Sequence, residues 1–262
     1  MQRTATPDRL TVTAVALVAY AALNVCHEIV GHCGTAALLG MGCIHISSTY
    51  NPIPTLEPTW KYKIIVTAGC AANFAAALVC LVLLRRRRAT PALRFFLWLM
   101  MSVSLFLPSS YVAAAPVISY GDSYILIRNL PGELFWRCAV VLAGGAACLL
   151  SFRLSLAELR RLVGPVGRAT AWRLVAHAYA AGGVLWVVSA LFSRLDYRVA
   201  QLQAAGGTFG LTAWLLLLPL LIPEAPEPGE NAFVLRRSAG WVAAGALCAL
   251  IFVGVLGRGI AL

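Results

Sequence analysis

His27-Glu28-Ile29-Val30-Gly31-His32 stands in a stretch from Leu10 to Gly40 made almost wholly of Ala, Val, Leu, Ile, Gly and Cys. Two imidazoles and a carboxylate are costly at membrane depth, and such groups mark a functional site facing the protein interior. Their types suit a metal hydrolase. On a helix, H-E-x-x-H sets two histidines one turn apart on one face to hold zinc, with the Glu as general base. Zinc takes a third protein ligand and keeps a fourth position for water, whose pKa falls to about 7. This chain reads H-E-x-x-x-H, one residue longer. At about 100° per residue, an i, i+5 pair lies about 140° apart on a regular α-helix, too far round to share one ion. Two conformations answer this. A π-bulge absorbs one residue and returns His27 and His32 to one face, with Gly31 lowering the cost. Alternatively the helix stays regular and Glu28 aligns with His32 at i, i+4, becoming a ligand and leaving no obvious catalyst. We favour the bulge.

The elements that must position these residues are membrane spans. The 262-residue chain is 60% hydrophobic and 12% charged, with a mean hydropathy of +0.81, outside the range of soluble domains. Apolar stretches approaching or exceeding the roughly 20 residues needed to cross a bilayer lie near 10–40, 63–84, 93–118, 134–152, 171–192, 208–222 and 238–257. The first is overlong and is expected to tilt or bend. The sixth is short and bounded by Pro, so six or seven spans are expected. The fold class is an all-α membrane protein, a polytopic bundle of six or seven transmembrane helices. Ile44 and Ile46, alternating with polar neighbours, add a short strand or extended segment after the first helix. Residues 1–130 form the expected core, and 131–262 supply further helices packed on it.

The net charge of +11 is distributed as a membrane protein distributes it. With seven spans and a cytoplasmic N-terminus, inner segments hold 14 Lys/Arg, among them Arg85 to Arg88, Arg160, Arg161 and Arg173, and outer ones hold 7. That is the positive-inside pattern. The expected partners of the inner arginines are anionic lipids, and nothing calls for nucleic acid. Arg3 and Arg9 precede the first apolar stretch as in a signal peptide, but no small-x-small cleavage site follows, so the stretch is expected to remain as a span. Cys70, Cys80, Cys138, Cys148 and Cys248 read as small apolar residues inside spans. Cys26 and Cys33 flank the histidines, and no C-x-x-C pair occurs.

Two more polar residues stand out, Asn73 at depth in the second span and Asp122 in the link after the third. Asn73 ends Gly69-Cys70-Ala71-Ala72-Asn73, a small-residue run that lets another helix approach closely. It suits either an interhelical hydrogen bond or a supporting or substrate-contacting place beside the histidines. Asp122, in Gly121-Asp122-Ser123, lies near apolar sequence on both sides and reads either as a surface turn or as part of the site. Leu156 to Leu162 reads as an amphipathic interfacial segment, 223–230 as an acidic Pro-rich loop, and His177 as a polar contact in the bundle. No internal repeat marks a transporter.

The order of these elements resembles the site-2-protease class of intramembrane zinc metallopeptidases. In that family an H-E-x-x-H helix is followed by a Gly-containing helix with an Asn, then by an Asp near a Gly. The resemblance covers residues 10–130, with Gly69-Cys70 where the family has Gly-Pro and Gly-Asp-Ser where it has an Asp-Gly motif. It implies zinc held by His27, His32 and Asp122, Glu28 activating water, and Asn73 assisting the substrate carbonyl or a nearby loop. The expected activity is hydrolysis of a peptide bond in a membrane-embedded or juxtamembrane segment of a transmembrane protein, in a multi-pass protein of the bacterial cell membrane. The alternatives are a noncatalytic protein keeping a degenerate form of the fold, and a zinc hydrolase acting on a lipid or small amide.

Overall fold

The structure, a computed structural model, describes residues 6–43, 45–48, 60–86, 89–163, 167–193, 198–224 and 233–261. The run of prolines after the first span, Arg87, Arg88 and most of the acidic loop lie outside the described residues. The first element is one long helix in three parts. They are α1 (Arg9–Asn24), a π-helical stretch over Val25–Cys33, and α2 (Gly34–Leu38). Asp8 opens it as N-cap, accepting from the Thr11 N–H at 3.0 Å and the Thr11 hydroxyl at 2.9 Å. A short strand β1 (His45–Ile46) follows. Then come α3 (Trp60–Arg85), α4 (Pro91–Ile118), the short α5 (Asp122–Ile127), α6 (Glu133–Val163), α7 (Gly167–Leu191), α8 (Arg198–Leu211), two 3-10 turns to Leu221, α9 (Ala239–Ile251) with a π-helical end, and β2 (Ile260–Ala261).

Six of the described helices are long and apolar enough to cross a membrane: Arg9–Leu38, Trp60–Arg85, Pro91–Ile118, Glu133–Val163, Gly167–Leu191 and Ala239–Leu256. Large apolar side chains such as Leu78, Leu142, Leu149 and Leu250 face outward, which suits lipid and would penalise a soluble protein. A shorter apolar stretch, Ala205–Leu221, carries the chain back between α7 and α9. Its end is tied to the start of α7, where the Arg168 N–H donates to the Pro223 carbonyl and the Arg168 guanidinium to that of Ile222. Helix α9 then starts beside α1, with the Asp8 N–H donating to Leu235 O and the Ser238 N–H to Thr11 Oγ1. Antiparallel pairing of β1 with β2, His45 against Ala261, puts the far end of α9 beside the far end of the first helix. Among the described residues the chain thus runs along the bundle seven times, six times as helices long enough to cross a membrane and once, between α7 and α9, as a broken segment too short to qualify by length.

Lipid offers no hydrophobic drive between helices, so close approach through small residues and buried hydrogen bonds must hold the bundle. Gly144 of α6 lies against Ala113 of α4, and Gly245 of α9 against Ala14 of α1. Fully buried Trp98 and Trp186 donate their indole N–H groups to the carbonyls of Ser155 and Tyr20. Leu156 to Leu162 is no separate interfacial segment: α6 runs unbroken to Val163. Ser155 and Glu158 are buried there, and Glu158 pairs with Arg85 and Arg161, so tertiary contacts hold the helix past its apolar part.

Candidate metal centre

The extra residue of the motif is absorbed by a π-helix. Over Val25–Cys33 the backbone widens, and the Gly34 N–H reaches back to the carbonyl of Ile29, five residues earlier. His27 and His32 consequently face the same way, both buried. Their Nε2 atoms lie 3.3 Å apart, with the rings perpendicular at 4.8 Å between centroids. Glu28 is half-buried beside them, and one ligand-capable atom from each of His27, Glu28 and His32 lies within 4.8 Å of the others. This buried group could bind a metal ion.

Helix α3 shapes the pocket from the other side. Gly31 faces Gly69, where a Cβ on Gly31 would stand 2.6 Å from the Gly69 Cα. A Cβ on Gly69 would lie 2.6 Å from His32 Nε2 and 2.8 Å from His27 Cε1. Only glycine at 69 leaves the imidazoles their room. One turn on, fully buried Asn73 places its amide 3.2 Å from His27 Nδ1. Of the roles open to Asn73, the contact present is an interhelical hydrogen bond, and its partner is a motif histidine. The His32 Nδ1–H donates to the Ile65 carbonyl at 2.8 Å. A carbonyl only accepts, so the proton of neutral His32 is fixed on Nδ1 and the Nε2 lone pair faces the cluster.

Asp122 arrives through an unusual turn. Helix α4 ends with Ser119 in the left-handed region (φ 56°), and Gly121 follows at φ 97°, a conformation natural only for glycine. The turn swings α5 back under the bundle. There the Asp122 N–H donates to the Tyr111 hydroxyl at 3.3 Å and the Ser123 hydroxyl to Val112 O. Asp122 Oδ2 then stands 3.4 Å from His32 Nε2 and 3.7 Å from His27 Nε2, with its side chain 18% exposed. Burial by itself raises this carboxyl, but hydrogen bonds and charges from the two histidines, when their rings are protonated, outweigh it and hold it below the ordinary carboxylate range. Asp122 is thus brought to the histidines and does not form a free surface turn.

The start of α3 ties together the segments that carry the histidines and Asp122. Lys61 donates to Leu39 O, beyond the end of α2, and Lys63 donates to Leu126 O in α5. Neither lysine has a sequence signature for this, since each target is a backbone carbonyl. A disulfide between Cys33 and Cys43 staples the end of the π-helical stretch to the link that leads into β1. That pairing was hidden in the sequence because ten residues separate the two cysteines and no motif frames them. The five cysteines read as apolar span residues are free. His177 lies elsewhere, with its Nε2 2.9 Å from the Thr13 hydroxyl, and His45 belongs to β1 with its Nε2 buried and unpartnered. No protein-family model matches this chain, and no curated protein or solved structure matches it.

Proposed function

We propose that the chain is an intramembrane zinc metallopeptidase whose ion is held by His27, His32 and Asp122. The observation that carries this reading is the triangle of Nε2, Nε2 and Oδ2, with edges of 3.3, 3.4 and 3.7 Å. Ligands about 2.0–2.1 Å from a tetrahedral ion are about 3.3–3.4 Å from one another. The three side chains stand nearly where zinc would require them, and a mixed nitrogen–oxygen donor set is among those zinc accepts. With Asp122 completing the face, Glu28 is left beside the ligands to act as base. When bound, zinc supplies the Lewis acidity that makes water a nucleophile at neutral pH. Glu28 takes a proton from the attacking water and returns it to the leaving amine. Gly69 and Gly31 keep α3 close without filling the pocket.

The position of the site fits a substrate at the membrane boundary. His27 lies eighteen positions after Arg9, about 27 Å along a helix against a hydrocarbon core of about 30 Å. We place the arginine-rich end in the bacterial cytoplasm and the site toward the outer surface. The positive-inside pattern supports this orientation, and so does the Cys33–Cys43 disulfide, a bond that persists in oxidising compartments.

Glu28→Gln is the discriminating variant. Wild type and Glu28→Gln purified in detergent are both expected to hold one zinc per chain by elemental analysis, and His27→Ala with His32→Ala none. Membrane proteomics should show truncated stubs in the wild-type strain that are missing from the deletion and Glu28→Gln strains. Zinc bound equally with identical proteomes in all three strains would leave a noncatalytic metal protein. Lipid changes in place of stubs would point to the lipid or amide hydrolase.

A further inference from the structure

At the end of the bundle away from the metal centre, a cavity of about 1030 Å³ opens among the starts of α1, α7 and α9. Arg9, Arg173, Arg236 and Arg237 line it, and Asp8 is the one carboxylate among its described lining residues. Asp8 is already engaged, capping α1 through Thr11 and accepting from Arg237 at 3.3 Å. Arg9, Arg173 and Arg236 are exposed and have no side-chain hydrogen bond or ion pair among the described residues. Four guanidiniums against one carboxylate leave the lining three positive charges in excess, in a concavity where self-repulsion is uncompensated. Guanidinium is the side chain best matched to phosphate, through two parallel N–H donors.

The cavity is also amphiphilic. Leu10 and Trp172 on its rim are 50% and 42% exposed, and Val12 and Ala176 belong to its wall. Three apolar spans begin around it at Arg9, Gly167 and Ala239, so it lies at the depth where headgroups meet acyl chains and where tryptophan concentrates. A soluble anion would use the arginines but leave the apolar rim without a partner. We propose that this cavity binds one anionic glycerophospholipid from the leaflet at this end. The phosphodiester is held by Arg9, Arg173 and Arg236, and the acyl chains lie along Leu10 and Trp172. This site is independent of the metal chemistry.

Native mass spectrometry of the full chain released from nanodiscs of phosphatidylglycerol or phosphatidylcholine tests it. Wild type is expected to retain one phosphatidylglycerol and to shed phosphatidylcholine. Arg173→Gln with Arg236→Gln should reduce that retention at least tenfold. A control pair outside the cavity, Arg86→Gln with Arg153→Gln, should leave it unchanged. Arg9→Gln probes the opposite wall separately and should also weaken retention, so the idea stays testable if the double variant fails to accumulate. Three results would overturn it: equal retention of the two lipids, equal loss in the cavity and control pairs, or displacement of the lipid by millimolar inorganic phosphate.

Discussion

The side-chain amide of Asn73 meets His27 Nδ1 at 3.2 Å, and which end of the amide makes that contact decides what the histidine can do. If the NH₂ donates, Nδ1 accepts and the neutral ring carries its proton on Nε2, where it blocks the lone pair. If the amide turns over, Oδ1 accepts from Nδ1–H and Nε2 becomes a ligand. Oδ1 is buried and otherwise without a partner, so the turned amide gives it one in exchange for the Nδ2 contact. On the proposed function, Asn73 is a positioning residue that selects the His27 tautomer, as the Ile65 carbonyl does for His32. Asn73→Leu is expected to weaken zinc binding 10–100-fold, the usual effect of losing such support, whereas Asn73→Asp, an acceptor only, should bind at least as tightly as wild type. Chelator competition reads both, and an unchanged affinity in the leucine variant would reduce the contact to interhelical packing. The sequence singled out Asn73 by its polarity at depth and left open an interhelical hydrogen bond or a place beside the histidines; that one contact serves as both was not legible, because Gly69 and Asn73 meet the histidines only once α3 has docked.

Elements show how a sequence irregularity becomes geometry. The six-residue motif was legible as a demand for π-helical winding, since about 100° per residue leaves no regular alternative that unites the histidines. The stretch over Val25–Cys33 meets it. A π-bulge absorbs one residue without turning its flanks out of register. Deleting Val30, a side chain that is 59% exposed, should therefore heal the helix to α while keeping both histidines on one face. Zinc stoichiometry is expected to stay at one and the melting temperature to rise, and loss of the metal would show that the π geometry itself is needed. Gly69→Ala probes the opposite wall. Alanine normally stabilises a helix interior by about 1 kcal/mol over glycine, yet here the methyl falls on the imidazoles, so a lower melting temperature and weaker zinc binding are expected. At the other end of α1, burial raises the Asp8 carboxyl, but Thr11 and Arg237 outweigh it and hold it below its ordinary value. Its contribution is present above the unfolded pKa of about 3.9 and is lost as pH falls through the lower folded value. Asp8→Ala should cost about 1 kcal/mol at neutral pH, with the gap from wild type closing in acid melts. What composition concealed was the length of α6, whose last turns are polar in sequence and are held by Arg85 on Glu158 and by the Trp98 indole N–H donating to the Ser155 carbonyl.

At the scale of the whole molecule, the described runs put the arginine-rich starts of α1, α7 and α9 at one end and the candidate metal centre with the β1–β2 pair at the other. Hydropathy made the helical bundle legible. It left six and seven passes open because Ala205–Leu221 is short, and hydrogen bonds from Arg168 to Ile222 and Pro223 bring the end of that segment back to the start of α7. The disulfide and the strand partner were invisible because both join positions that only folding brings together. Cys43→Ser should lower stability by roughly 2.5–3 kcal/mol, the loop-closure value for a link of this length. Maleimide labelling should find Cys33 and Cys43 blocked in wild type until reductant is added. Labelling without reductant would mean that the site end faces a reducing compartment. The pairing of His45 with Ala261 also sets an order of manufacture. Strand β1 packs against the motif helix but is synthesised long before the strand that completes it. While the intervening helices are still being inserted, the segment beside the histidines has an open backbone edge, and only the last described element closes it. The strand pair beside the candidate site is therefore closed last, although every residue of the site itself, from His27 to Asp122, is synthesised in the first half of the chain.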